Sequence, residues 1–154
     1  MSRRHDSLIP LSQQHQHALA LAVIIRRRFG MEKGEARWRD EMVEKIRKAY
    51  QAELSGHFEV EEAVLFPEME RYLGRLELVP ELRGEHETLR GLVRRVEASR
   101  ELTVIDEFSA VLEGHVRKEE RQLFAEFERR MPRDEAVKVG KEIEARLSKS
   151  CSKL

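Results

Sequence analysis

Two stretches of the chain place a histidine and a carboxylate one helical turn apart, in matching company. His57-Phe58-Glu59-Val60-Glu61-Glu62 and His115-Val116-Arg117-Lys118-Glu119-Glu120 share the pattern His-x-x-x-Glu-Glu, and after two further residues each continues with Leu-Phe. Residues four apart on an α-helix lie on one face, so the imidazole and the first carboxylate of each copy can reach a single point beside the helix. Such a pair can grip a metal ion. One His-x-x-x-Glu arises readily in Glu-rich helices and usually sits on a solvated face. Two copies in the same apolar setting are harder to attribute to composition.

Positioning these groups requires helices, and the apolar spacing supplies them. A first helix is expected from Pro10 or Ser12, with Ser12 as N-cap, to about Phe29, ended by Gly30 and Gly34. Its seam reads Leu11, His15, Ala18, Ala22, Ile25 and Phe29, at steps of three and four. His17 lies about 200° around the helix from His15 and should face outward. A second helix runs from Ala36 or Trp38 to Phe66 with Met42, Ile46, Tyr50, Leu54, His57, Glu61 and Leu65 inward, after which Pro67 should kink or restart it and Glu68 to Leu73 should form a further piece before Gly74.

A third helix is expected over Pro80 to Ser99, with Leu82, His86, Leu89, Val93 and Val96 inward. A fourth spans Thr103 to Arg130, with Phe108, Val111 or Leu112, His115, Glu119 and Leu123 inward, and Met131-Pro132 then breaks the chain. A last amphipathic helix over about 133–148 carries Val137, Gly140, Ile143 and Leu147 on one face and should pack across the outside.

The chain therefore reads as a helix pair used twice, each pair offering one single-His helix (His15, His86) and one His-x-x-x-Glu helix (His57 with Glu61, His115 with Glu119). Short connections favour antiparallel neighbours. The expected fold is all-α, an up-down-up-down antiparallel four-helix bundle over about 8–130 with an additional C-terminal helix, in one domain over 1–154. Counting from the turn between them, His86 and His115 lie about 13 and about 12 residues away and fall at one level; His15 and His57, at about 14 and about 19, match less well.

Any one of the four histidines could be a buried His bonded to a neighbour. Four on four seams, with two carboxylates a turn away, would be costly in a dry interior without a compensating cation. Imidazole-rich ligation suits Fe, Zn, Cu or Ni over Mg or Ca, and two carboxylates able to bridge suit a dinuclear centre.

On the paired His-x-x-x-Glu-Glu-x-x-Leu-Phe segments and the two single histidines, the chain resembles the hemerythrin-like family, the HHE cation-binding domains, from Leu8 to about Arg130. The resemblance implies a non-haem di-iron centre, two iron ions with a bridging oxo or hydroxo group, that binds dioxygen or senses oxygen, iron or redox state. His15, His57, His86 and His115 would be terminal ligands, and Glu61 and Glu119 would bridge. Hemerythrins that carry dioxygen have a further histidine one turn after the third-helix ligand, where this chain has Arg90. Two histidines per metal point to a sensor, an oxidant-handling di-iron protein or an iron-binding domain rather than a carrier. Tyr50, two turns before His57, is either a core tyrosine or a hydrogen-bond or redox group near the centre. The rival readings are a small di-iron oxidase or peroxidase and a helical bundle without physiological metal.

Lys plus Arg equal Asp plus Glu at 29 each, so no net field recruits nucleic acid or an anionic membrane, and Arg26-Arg27-Arg28 point three ways around their helix as a solvated end would. The single Cys151 allows no intrachain disulfide and suits a reducing compartment. Leu8-Ile9-Pro10-Leu11 is too short for a signal-peptide core, and cytoplasm is the expected location. No segment outside the bundle looks like an output domain, so a sensor of dioxygen or another small ligand would act through a separate protein partner.

Overall fold

A computed structural model describes residues 3–29 and 35–151 of the chain, and among them every regular element is helical. A 3-10 turn, Asp6–Leu8, leads into α1, Ile9–Phe29; α2 occupies 35–73, α3 Leu78–Ser99, α4 102–130 and α5 Arg133–Cys151. No described helix is long and apolar enough to cross a membrane. The expected stop at Gly30 and Gly34, the Phe29 side chain and the Cys151 side chain lie outside the described residues.

The start of α1 falls next to Pro10, one of the two expected positions, and not at a Ser12 cap. The His5 imidazole caps the preceding turn by accepting from the Ser7 N–H at 3.1 Å, and Pro10 sits in the first turn of α1, where its missing N–H costs nothing. The Ser12 hydroxyl instead donates to Glu120 across the interior.

Contacts between helices run in opposing order. His17 and Gln14 of α1 meet Glu53 and His57 of α2. Asp40 and Glu62 of α2 meet Arg100 and Arg83 at the two ends of α3. Glu81 and Arg95 of α3 meet Lys118 and Glu107 of α4, and Glu120 and Ser109 of α4 return to Ser12 and Ala22 of α1. Neighbouring helices are therefore antiparallel where they touch. His15 and His57 also reach one level, their Nε2 atoms 3.0 Å apart, despite the poorer count along the chain.

Pro67 marks a restart of α2, as expected, and the cause is local. The helix carries a wide, π-type turn over Glu61–Leu65, closed by the Phe66 N–H on the Glu61 carbonyl, and Pro67 falls at the start of the α-helical Phe66–Leu73 that follows. The wide turn and the missing proline N–H release the Glu62 carbonyl, which accepts from Arg83 of α3 at 3.1 Å. In α4 the same turn recurs over Glu119–Leu123, and the Glu120 carbonyl accepts from Arg4 at 3.2 Å. Each arginine also lies over the phenylalanine of the repeated Leu-Phe, Arg83 over Phe66 at 5.5 Å and Arg4 over Phe124 at 5.4 Å. The sequence repeat is thus a structural repeat down to its braces.

The apolar interior is divided. One cluster includes Ile25, Met42, Ile46, Leu54, Phe58, Phe108 and Leu112; the other includes Leu11, Leu65, Phe66, Leu82, Leu123 and Phe124. Leu112 rather than Val111 fills the inward position of α4. Between the two clusters lies a layer of buried His and Glu.

Helix α5 packs on the second cluster and on α2 by the expected Gly140, Ile143 and Leu147, but Val137 turns outward. Val137 is 44% exposed, whereas Ala136, Val139, Ile143 and Leu147 are buried. The phase is set by Gly140, whose missing Cβ would lie 2.8 Å from the Ser7 Cα, and by the Ser7 hydroxyl donating to the Ala136 carbonyl at 2.7 Å. Only a glycine lets the helix approach the Asp6–Leu8 turn this closely. Gly140→Ala should therefore destabilise the protein by about 1–3 kcal/mol through overpacking, opposite in sign to the gain of up to about 1 kcal/mol expected at an open helical position. Urea denaturation measures this, and a stabilised variant would contradict the packing.

Candidate metal centre

All six residues singled out by spacing meet in the polar layer. His15, His57, His86 and His115 are 3%, 2%, 0% and 2% exposed, and Glu61 and Glu119 are 0% exposed. Their ligand atoms form two groups within 4.8 Å, one of His15, His57, Glu61 and Glu119 and the other of Glu61, His86, His115 and Glu119. Both groups contain both carboxylates.

The carboxylates point in two directions. Glu119 places Oε2 3.0 Å from His15 Nε2 and Oε1 2.8 Å from His115 Nε2. Glu61 Oε1 lies 3.1 Å from His86 Nε2 and 3.4 Å from His57 Nε2. Each carboxylate thus sits between two histidine pairs. The wide turns begin at these two residues, so the carboxylate projects inward while Leu65 and Leu123 still return to the core.

The ring nitrogens are sorted by their outward partners. His57 Nδ1 donates to Gln14 Oε1 at 2.8 Å, His86 Nδ1 to Glu62 at 2.6 Å and His115 Nδ1 to Glu85 at 2.8 Å, while His15 Nδ1 lies 3.4 Å from Glu120. Each helix turns an oxygen toward the histidine of the next, around an outer ring; three of these contacts are hydrogen bonds, and His15 Nδ1 is left without a hydrogen-bond partner. With Nδ1 carrying the proton, a neutral imidazole turns its Nε2 lone pair to the interior, the tautomer a metal needs. Aromatic rings hold the imidazoles flat: Phe58 stacks on His86 at 4.2 Å and Phe124 on His15 at 5.3 Å.

The inner atoms are short of hydrogen bonds. Glu61 Oε2, both Glu119 oxygens and His115 Nε2 are buried with no hydrogen-bonding partner, although the Glu119 oxygens lie within 3.0 Å of imidazole nitrogens. At these four atoms the contacts are at ligand distance without the geometry of a hydrogen bond, whereas His86 Nε2 meets Glu61 Oε1 in hydrogen-bond geometry at 3.1 Å. Acceptors gathered this way in a dry layer need a cation, and the nitrogen-and-carboxylate set fits a first-row transition metal.

Protonation carries the same message. Burial alone would lower His115, but the Glu119 charge beside it prevails and raises it to about 9. Burial is the largest influence on His57 and takes it down to about 4, against the pull of Glu119. Burial and the Glu119 charge push Glu61 well above the usual carboxylate range. Burial would raise Glu119 too, yet the His115 charge beside it holds it well below that range. The surroundings thus favour a proton on His115 and on Glu61, and a metal entering the layer would have to displace it.

Other candidates fall outside the cluster. His17 is exposed and pairs with Glu53 at 2.9 Å, so Glu53 is also turned away. Tyr50 packs half-buried against the first apolar cluster, as a core tyrosine does. The Arg90 guanidinium grips Glu62 at 3.0 and 3.2 Å and lies 5.6 Å over Phe58, so it braces the outer ring and does not enter the cluster. Spacing along the chain missed Gln14, Glu62, Glu85 and Glu120. A signal was present, since Glu62 and Glu120 are the second acids of the repeat, and Gln14 and Glu85 each immediately precede a single histidine.

Neither a curated protein nor a solved structure matches the chain. The family model of the hemerythrin HHE cation binding domain matches residues 10–127, a span that contains all six clustered residues, and the chain belongs to this metal-binding family.

Proposed function

We propose that this chain is a non-haem di-iron protein that binds or senses dioxygen or a related small ligand, built as one domain whose up-down-up-down four-helix bundle is closed by α5. The observation that carries the reading is the pair of four-donor groups sharing Glu61 and Glu119. His15 and His57 would hold one iron and His86 and His115 the other, with the two glutamates as bridges. Iron in these positions would supply reversible one-electron chemistry and affinity for dioxygen.

The chain's own contribution is to position and to exclude. Four protein donors per ion fall short of an octahedral set, so small exogenous ligands have room. The outer ring fixes each imidazole, and Phe58, Phe66 and Phe124, each no more than 1% exposed, keep bulk water from the layer. Arg90, at the position where oxygen carriers place a further histidine, serves Glu62 instead. This favours sensing or oxidant handling over transport, with any output passed to a separate protein partner.

The test is anaerobic loading with ferrous iron followed by mixing with dioxygen. The reading expects two irons per chain and an optical change completed in one turnover. Sustained consumption of peroxide in the presence of a reductant would contradict it in favour of an oxidase or peroxidase.

A further inference from the structure

The ring of outward hydrogen bonds is not uniform. His86 and His115 both donate to carboxylates, Glu62 at 2.6 Å and Glu85 at 2.8 Å. His57 donates to the amide of Gln14 at 2.8 Å, and His15 has its carboxylate, Glu120, no closer than 3.4 Å. A close carboxylate on Nδ1–H raises the electron density of the ring and strengthens the donor at Nε2; an amide carbonyl does so less.

The cations behind the ring do not cancel this difference. Arg90 stands behind Glu62, Lys118 behind Glu85 and Arg4 behind Glu120, so each carboxylate has one. Glu120 is further held by the Ser12 hydroxyl at 3.1 Å. What distinguishes the two halves is therefore the amide at Gln14 and the longer reach from His15 to Glu120.

Resting on the dinuclear reading above, we infer that the two metal positions are unequal. The position formed by His86 and His115 with the shared glutamates fills first and holds its ion more tightly, and Gln14 sets the inequality. Gln14 touches no metal in this arrangement. It acts through His57 and is a positioning residue.

Cobalt(II) provides the probe, because it does not cycle between oxidation states in air as ferrous iron does and its visible bands report nitrogen and oxygen ligation. Repulsion between neighbouring ions would split binding into two steps even for equal positions, so the variants decide. Gln14→Glu, nearly isosteric, should strengthen the second step on the order of ten-fold and leave the first where it is. Glu85→Gln should weaken the first step by a similar factor. Equal positions would behave the other way: Gln14→Glu would strengthen the first step, and Glu85→Gln would weaken the second. Either of those results, or two unmoved steps in both variants, overturns the inequality while leaving two ions bound. Saturation of the unaltered protein at one cobalt per chain overturns the dinuclear reading itself and the inference with it.

Discussion

Glu119→Ala should reduce bound iron from two per chain to at most one, measured by metal analysis after anaerobic reconstitution and desalting. Its two oxygens face different histidine pairs, His15 at 3.0 Å and His115 at 2.8 Å, so one truncation removes a donor from both positions. It also removes the charge that raises His115 to about 9, and the loss of that negative ligand weakens each cation's hold. Glu61→Ala should act similarly, since Glu61 Oε1 lies between His86 and His57. His17→Ala is the control: the ring is exposed, bonded to Glu53, and its loss should leave the count at two. Full iron in Glu119→Ala, or loss in His17→Ala, would mean that the metal lies elsewhere.

The second large effect is on stability. A metal that binds the folded chain and not the unfolded one stabilises by mass action, about 4 kcal/mol per ion at a free concentration about 1,000 times its Kd. For a chain of this size each kcal/mol moves the thermal midpoint by roughly 2–4 °C, so even one ion should raise it by roughly 8–16 °C. The physical source is the polar layer between the two apolar clusters, where converging acceptors lack partners until a cation enters. Calorimetry of the chelator-treated and the reloaded protein measures the rise. Coincident midpoints would show that the layer is satisfied without metal.

How much of this was legible in the sequence follows from geometry. His15, His57, Glu61, His86, His115 and Glu119 could be named because helical phase is a local property: four residues is one turn, and His15 and His17 separate by phase alone. The outer ring was not legible in that way. Gln14 meets His57 and Glu85 meets His115 across helix boundaries, and those meetings depend on the relative rotation of two helices, which no spacing within one helix encodes.

Two further misses share that cause. Pro67 was legible as a restart of the helix, but the wide turn before it and the guanidinium of Arg83 that takes up the freed Glu62 carbonyl were not. Val137 looked inward by hydrophobicity, but the phase of α5 is fixed by Gly140 against Ser7, at the opposite end of the chain. Apolar periodicity gives a stripe, and a single close approach decides which edge of the stripe is buried.

The most direct measurement is anomalous X-ray scattering at the iron edge from crystals of the reconstituted protein. The account predicts two peaks in the layer between the apolar clusters, one bounded by His15 and His57 and the other by His86 and His115, with Glu61 and Glu119 reaching both. A single peak, or density only at surface residues such as His17 and Glu53, would contradict it.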